Sequence, residues 1–144
     1  MNIWKTKVST EQLNKSNSGC IHEALGIEFT EIGKDFLEAS MPVNARTKNP
    51  IGILHGGASA VLAESLGSVA SMLVAGWADH RAVGIEISAS HLSSAQNGIV
   101  YGRAKPIRLG RSLHVWEVRI RREEDPASEL ICLSRLTVMI KGKP

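Results

Sequence analysis

Gly56-Gly57-Ala58-Ser59-Ala60-Val61-Leu62-Ala63-Glu64-Ser65-Leu66-Gly67-Ser68-Val69-Ala70-Ser71-Met72-Leu73-Val74-Ala75 is the stretch on which the fold turns. Val61, Leu62, Ser65, Val69, Met72 and Leu73 recur at helical spacing and mark one apolar side. Gly57, Ala60, Glu64, Gly67, Ser68 and Ser71 mark a second side made almost entirely of small residues. A surface helix shows one apolar stripe and one charged face, so a helix with two such uncharged sides is contacted from more than one direction. A central helix over about residues 56–75 is predicted. Glu64 is the only acid between Glu38 and Asp79, a lone carboxylate on a helix otherwise fit for a core.

The sequence on either side reads as strand. Upstream, Ser9-Thr10-Glu11-Gln12 fits a capping box and predicts a short helix near residues 10–17. Residues 25–32 and 35–43 alternate apolar and polar around Gly33-Lys34, the pattern of a β-hairpin. Residues 44–54 are polar and turn-rich, with Pro50 and Gly52. Downstream of Asp79-His80-Arg81 come four strand-like runs, at about 82–92, 98–107, 112–123 and 129–140, separated by turns at Asn97-Gly98, Gly110 and Asp125-Pro126. Alternation is clearest at Trp116, Val118 and Ile120, and at Leu130, Cys132, Leu136, Val138 and Ile140. The order β-β-α-β-β-β-β predicts an α+β fold in which a curved antiparallel sheet of about six strands wraps one central helix, as a single domain over residues 1–144. Such a sheet exposes edges, which proteins commonly cover by self-association, so a homo-oligomer is expected.

Bulk composition narrows the classes. Apolar residues at 43% and charged residues at 22% are ordinary for a folded soluble domain. Aromatics are only 4%, so the interior is built from Ile, Leu, Val, Ala and Met, and Trp4, Trp77 and Trp116 are expected to pack, with Trp77, just beyond the helix, also able to border a pocket there. A net charge of +3 is too small to imply nucleic acid but suits a polyphosphate ligand. Cys20 and Cys132 have neither CxxC spacing nor a His cluster nearby, so no metal site and no disulfide framework is expected. The N-terminus lacks a signal-peptide core, and no run reaches the ~18 apolar residues of a membrane span. A cytoplasmic protein with no membrane partner is expected.

Acyl transfer needs a carboxylate or base, a donor for the developing oxyanion and a dry cleft. The amides after His55 open a helix, where unpaired N–H groups and the dipole favour negative charge, and Gly56-Gly57 permits close approach. Glu64 follows about two turns later among small residues that leave room for an acyl group and water. Partial burial would raise its proton affinity, and the sequence leaves open whether it acts as general base or as nucleophile. A lone acid on a buried helix has a second common fate, pairing with an Arg across an oligomer interface. Taken singly, His55 reads equally as a packing histidine and Gly56-Gly57 as a simple loop.

In combination, Thr47-Lys48-Asn49-Pro50-Ile51-Gly52-Ile53-Leu54-His55-Gly56-Gly57 followed by Ala63-Glu64-Ser65-Leu66-Gly67-Ser68 resembles the hotdog-fold thioesterases of the PaaI-like superfamily. The similarity covers nearly the whole chain, including Met41-Pro42-Val43, Val83-Gly84-Ile85-Glu86-Ile87, His91 and Arg135-Leu136-Thr137. It is nearest to the 1,4-dihydroxy-2-naphthoyl-CoA hydrolase group, which serves menaquinone synthesis. The resemblance implies that Glu64 activates water or attacks the thioester, that the Gly56 amide binds the carbonyl oxygen, and that His55 and Ser68 position substrate and water. It implies a tetramer with sites shared between subunits. The family commonly carries Gln where this chain has Asn49, which keeps the amide on a side chain one methylene shorter.

The same resemblance assigns substrate contacts to Gly84, to the strand end His91-Leu92-Ser93-Ser94 and to the turn Arg108-Leu109-Gly110-Arg111-Ser112-Leu113. For that turn, chemistry agrees: Arg108 and Arg111 offer forked donors to the phosphates of CoA, and Gly110 is expected to offer backbone amides. A solvated hairpin tip is the plain alternative. Arg119, Arg121 and Arg122 with Glu123, Glu124 and Asp125 read as a solvated strand end. The leading expectation is a thioesterase, free of cofactor and metal, that splits an aromatic or medium hydrophobic acyl-CoA into acid and CoA. Two alternatives are a proofreading thioesterase acting on carrier-protein-bound acyl groups and a non-catalytic acyl-CoA-binding module. A hotdog hydratase is disfavoured because no separate Asp-and-His dyad stands on a loop.

Overall fold

The computed structural model describes residues 1–123, 125 and 127–144; Glu124 and the Pro126 half of the expected Asp125-Pro126 turn lie outside them. In chain order the elements are α1 (Thr10–Lys15), α2 (Ile21–Leu25), β1 (Glu28–Ile32), β2 (Leu37–Pro42), α3 (Gly56–Ala75), β3 (His80–His91), β4 (Ile99–Leu109), β5 (Leu113–Arg121) and β6 (Leu130–Gly142). Among the described residues, six strands form one antiparallel sheet in the order β1-β2-β4-β5-β6-β3, with α3 laid across one face. This is the α+β arrangement expected of the sequence.

The capping box forms as predicted. Ser9 Oγ accepts from the Gln12 N–H at 3.2 Å and Gln12 Oε1 accepts from the Ser9 N–H at 2.8 Å, so two orphan amides are satisfied and Leu13 is delivered into the core. The hairpin reading is corrected at its start: Leu25, read as the first strand residue, ends the helix α2 (Ile21–Leu25), Gly26 caps it, and β1 begins only at Glu28. Five residues are too few to show a 3.6-residue period. Local side-chain hydrogen bonds hold α2 instead, from Asn17 Nδ2 to the Ile27 carbonyl (3.1 Å), between His22 Nδ1 and Asn17 Oδ1 (2.9 Å), and from the Gly19 N–H to Glu23 Oε2 (2.6 Å). Gly26 ends it at φ 71°, where a Cβ would meet Pro42 at 2.9 Å.

α3 seats on the sheet through paired gaps. Gly67 leaves the space that Leu136 of β6 fills, and Gly102 of β4 leaves the space for Leu66 and Leu62, so the helix backbone lies close over the strands. Leu62, Leu66, Leu73, Trp116, Val118, Leu136 and Val138 are fully buried between the layers. Each such side chain stabilises the fold by about 1.5–3 kcal/mol. This packing corrects the two-sided reading of the helix. Gly67 and Ser71 lie in the core, while Val61, Val69 and Met72 fall on the half-exposed side with Ala60, Glu64 and Ser68.

Trp116 is wholly buried, donates its indole N–H to Ser71 Oγ at 2.8 Å and stacks on Trp4 with ring centroids 6.4 Å apart. Trp77 lies beyond the C-terminus of α3, its N–H bonded to Thr6 Oγ1 and its carbonyl to Lys143 Nζ. The expectation that no segment is apolar enough for a membrane span is also corrected, since α3 meets that test by length and composition, with a mean hydropathy of 1.5. Two-thirds of it is buried against its own sheet, the condition of a core helix, with 67% of the apolar window covered.

Ser71→Ala leaves the Trp116 N–H buried without a partner. The expected loss is about 1–3 kcal/mol of unfolding free energy, read from urea titration. Gly67→Val drives branched atoms into Leu136 and is expected to cost about 1–3 kcal/mol or more in the same measurement.

Candidate active site

His55 caps α3, its Nδ1 accepting from the Gly57 N–H at 2.8 Å. In the neutral ring that bond puts the proton on Nε2, so the exposed edge of His55 is a donor. The Ala58 and Ser59 amides bond the His55 carbonyl at 2.9 and 3.3 Å, whereas the Gly56 N–H has no hydrogen-bond partner among the described residues. An unpaired amide at a helix N-terminus is a ready donor to a developing anion. His91, from the end of β3, lies against Gly56: a Cβ there would stand 2.8 Å from His91 Nε2.

Asn49 is held in the loop before α3. Its Oδ1 accepts from the Ile51 and Ile53 amides at 3.2 and 3.3 Å, and its N–H donates to the Ile53 carbonyl at 2.9 Å. Its Nδ2 has no partner among the described residues, so the amide end remains able to donate. Asn49, Gly56, Ser59, His91, Leu92 and Ser94 surround a cleft of about 370 Å³. Ser93 also lines it, with its hydroxyl donating to Glu129 at 2.7 Å.

Glu64 is not in that cleft. Eight residues along a helix are about 12 Å of rise and about 80° of rotation, so Gly56 and Glu64 of one chain cannot both touch one carbonyl group. The Glu64 carboxylate lies instead over Gly84 of β3, in the volume that a Cβ at residue 84 would occupy. Gly84, expected among the ligand contacts, is thus the floor beneath Glu64. Around the carboxylate is a second, strongly apolar cleft of about 300 Å³, walled by Ile21, Ala60, Val61, Ser65 and Ile87. Among the described residues no cation pairs with Glu64, and burial raises its pKa above the ordinary 4.5. Ser68 follows one turn later on the same half-exposed side.

The turn Arg108–Leu113 lies at the far end of α3, beside Val74, Ala75 and His80. Arg108, Arg111, Ser112 and Leu113 are exposed, but the Gly110 N–H is spent on the Leu113 carbonyl at 2.8 Å, which corrects the expectation that this amide is open to a phosphate. Trp77, at that same end, does not wall the Glu64 cleft. A single chain therefore gathers Asn49, His55, Gly56 and His91–Ser94 at one end of α3, Glu64, Ser68 and Gly84 at its middle, and 108–113 at the other end. Sequence reasoning passed over Ile21 and Ile87 as cleft walls. The alternation of β3 could have shown Ile87, but nothing in the pattern marked Ile21.

Similarity to known proteins identifies the family. Residues 51–129 match the family described as the thioesterase superfamily. The chain is 49% identical over 138 residues to the 1,4-dihydroxy-2-naphthoyl-CoA hydrolase of Escherichia coli (strain K12), covering 96% of this chain and 98% of that one. It is 46% identical over 141 residues to the proofreading thioesterase EntH of Cronobacter turicensis, covering 97% and 99%. The crystal structure of a thioesterase from Haemophilus influenzae superposes with a TM-score of 0.92 at 43% identity, covering 97% of this chain and 95% of that one. A carboxylate in an apolar cleft, an unpaired helix-start amide and near-full-length relatives of one catalytic class converge: the chain belongs to the thioesterase superfamily, with its hotdog fold, and is a thioester hydrolase.

Proposed function

We propose that the protein hydrolyses an aromatic or medium hydrophobic acyl-CoA, of the 1,4-dihydroxy-2-naphthoyl-CoA type, as a cytoplasmic homo-oligomer that needs no cofactor. The observation that carries this reading is the unpaired Glu64 carboxylate in a strongly apolar cleft, with its pKa raised by burial. Similarity to the naphthoyl-CoA hydrolase supports the aryl substrate and a place in menaquinone synthesis. Similarity to the proofreading thioesterase favours a second reading, in which the thioester is carried by a carrier protein. Comparing turnover of free and carrier-bound thioesters separates the two.

A second copy of the chain completes the site. β3 is a sheet edge, and it exposes Val83, Ile85 and Ile87 at 48%, 50% and 37%. An exposed apolar edge strand invites pairing with another strand. Antiparallel pairing of β3 with β3 of a second copy, with Gly84 opposite the second copy's His91, brings that copy's Gly56 amide beside Glu64. Self-complementary contact of this kind is what a twofold dimer requires, and two dimers make the expected tetramer.

The chemistry then follows. The thioester carbonyl oxygen accepts from the Gly56 amide, with Asn49 Nδ2 and His55 Nε2 as neighbouring donors. Glu64 takes a proton from water as the oxygen forms its bond to the carbonyl carbon, and collapse of the tetrahedral intermediate breaks the C–S bond. The thiolate leaves and is protonated, giving acid and CoA. In the nucleophilic variant a Glu64 oxygen attacks the carbonyl carbon and the C–S bond breaks, releasing the thiolate, and water then cleaves the resulting anhydride to give the acid and free Glu64. Arg108 and Arg111, exposed on the turn at the far end of α3, are expected to meet the phosphates of CoA.

Glu64→Ala and Glu64→Gln are expected to lower kcat on benzoyl-CoA and naphthoyl-CoA by about 10²-fold or more, measured as thiol release. Unchanged turnover would contradict the mechanism. Because burial raises the Glu64 pKa, its charged form is disfavoured in the folded state. The stabilising share it holds when protonated is lost as pH rises through that pKa. Glu64→Gln is therefore expected to melt no lower than wild type at pH 7. The acid limb of the wild-type kcat/KM profile should lie above the ordinary glutamate value of about 4.5. Gly84→Ala, which pushes the carboxylate off its floor, is expected to lower kcat with little change in melting temperature.

A further inference from the structure

The short helix α2 bears on the chemistry through one side chain. Ile21, its first residue, is 52% exposed yet forms a wall of the Glu64 cleft, opposite Val61 of α3 and Ile87 of β3. An isoleucine left half in water at the start of a short helix gains little for folding. Beside a carboxylate, it supplies apolar surface to whatever the carboxylate acts on. We propose that Ile21 is a specificity-determining residue, packing on the acyl group of the thioester held at Glu64 and selecting bulky, flat or hydrophobic acyl groups over short ones. This inference rests on the acyl-CoA reading above and adds to it the wall that reads the acyl group.

Three observations support it. The cleft is nearly free of polar groups apart from Glu64 and Ser65, and the Ser65 hydroxyl is already spent on the Val61 carbonyl at 2.7 Å, so recognition there is by apolar contact and shape. The volume, about 300 Å³, is at the lower end for a small-molecule pocket and matches an acyl group rather than a whole acyl-CoA. Finally, α2 is fixed in place: Asn17 bonds both the Ile27 carbonyl and His22, Glu23 bonds the Gly19 amide, and Gly26 packs against Pro42. A wall that discriminates by shape must not yield, and this one is tied at both ends.

The test is a kcat/KM series on acetyl-, hexanoyl-, benzoyl- and naphthoyl-CoA for wild type, Ile21→Ala, Ile21→Leu and Ile21→Trp. Loss of one apolar wall changes discrimination by about 10-fold or more. Ile21→Ala is therefore expected to lower the benzoyl-to-acetyl ratio of kcat/KM by about that factor, acting mainly through KM for the larger acyl groups. Ile21→Leu should recover most of the ratio, and Ile21→Trp should penalise naphthoyl more than benzoyl. Because the side chain is half exposed, the melting temperature is expected to stay near that of wild type. Ratios equal to wild type in all three variants, with wild-type turnover intact, would overturn the inference while leaving the thioesterase reading standing. Absence of wild-type turnover on every CoA thioester would overturn the acyl-CoA reading itself, and this inference with it.

Discussion

The structure depends on how closely α3 lies on the sheet. Gly67 admits Leu136 and Gly102 admits Leu66, so helix and strands interlock, and Trp116 is bonded to Ser71 from beneath. Close-packed interiors resist sliding, and that rigidity fixes the rotation of α3 about its axis. The rotation in turn decides which helix residues face away from the core. Glu64 and Ser68 are among them, and Gly84 on the adjoining strand is the only kind of residue that leaves room for the carboxylate. The position of the site is thus a consequence of how α3 seats on the sheet.

The same rigidity divides the chemistry. A straight helix of twenty residues separates its N-terminal amide, its mid-helix carboxylate and its C-terminal surroundings by whole turns. No motion short of breaking α3 brings Gly56 to Glu64 within one chain. A catalytic centre using both must therefore come from two chains, and the long exposed β3 edge is where a second one can join. In the proposed assembly, fold, oligomerisation and catalysis become one constraint: the edge that would be an aggregation liability in a monomer would be the seam of the active site.

Much of this was legible in the residues. The Ser9–Gln12 capping box and the bounds of α3 were readable because each rests on local spacing. The later strands were readable because one buried face imposes a period of two. Other features rest on contacts that no periodicity announces. α2 has no period of its own and exists because Asn17 and Glu23 tie it down. The core face of α3 was misjudged at Gly67 and Ser71, since a small residue that admits a neighbour's side chain cannot be told in sequence from one that admits a ligand. Gly110 was read as an open amide, but hairpin closure consumes it. Glu64 stood out in the sequence because nothing else charged lies near it; that Gly84 supports it and Ile21 flanks it required the fold.

The most direct measurement is complementation between two inactive variants. Glu64→Gln removes the carboxylate, and Gly56→Pro removes the N–H at the first helical position, where the backbone tolerates proline although its Cβ shifts His91 of the same chain. If Glu64 works with the Gly56 amide of a second copy, each variant alone is inactive on benzoyl-CoA. Mixing them under conditions of subunit exchange then restores thiol release, because a mixed pair contains one site with both groups intact. Mixtures that exchange subunits yet stay as inactive as either parent would contradict the account.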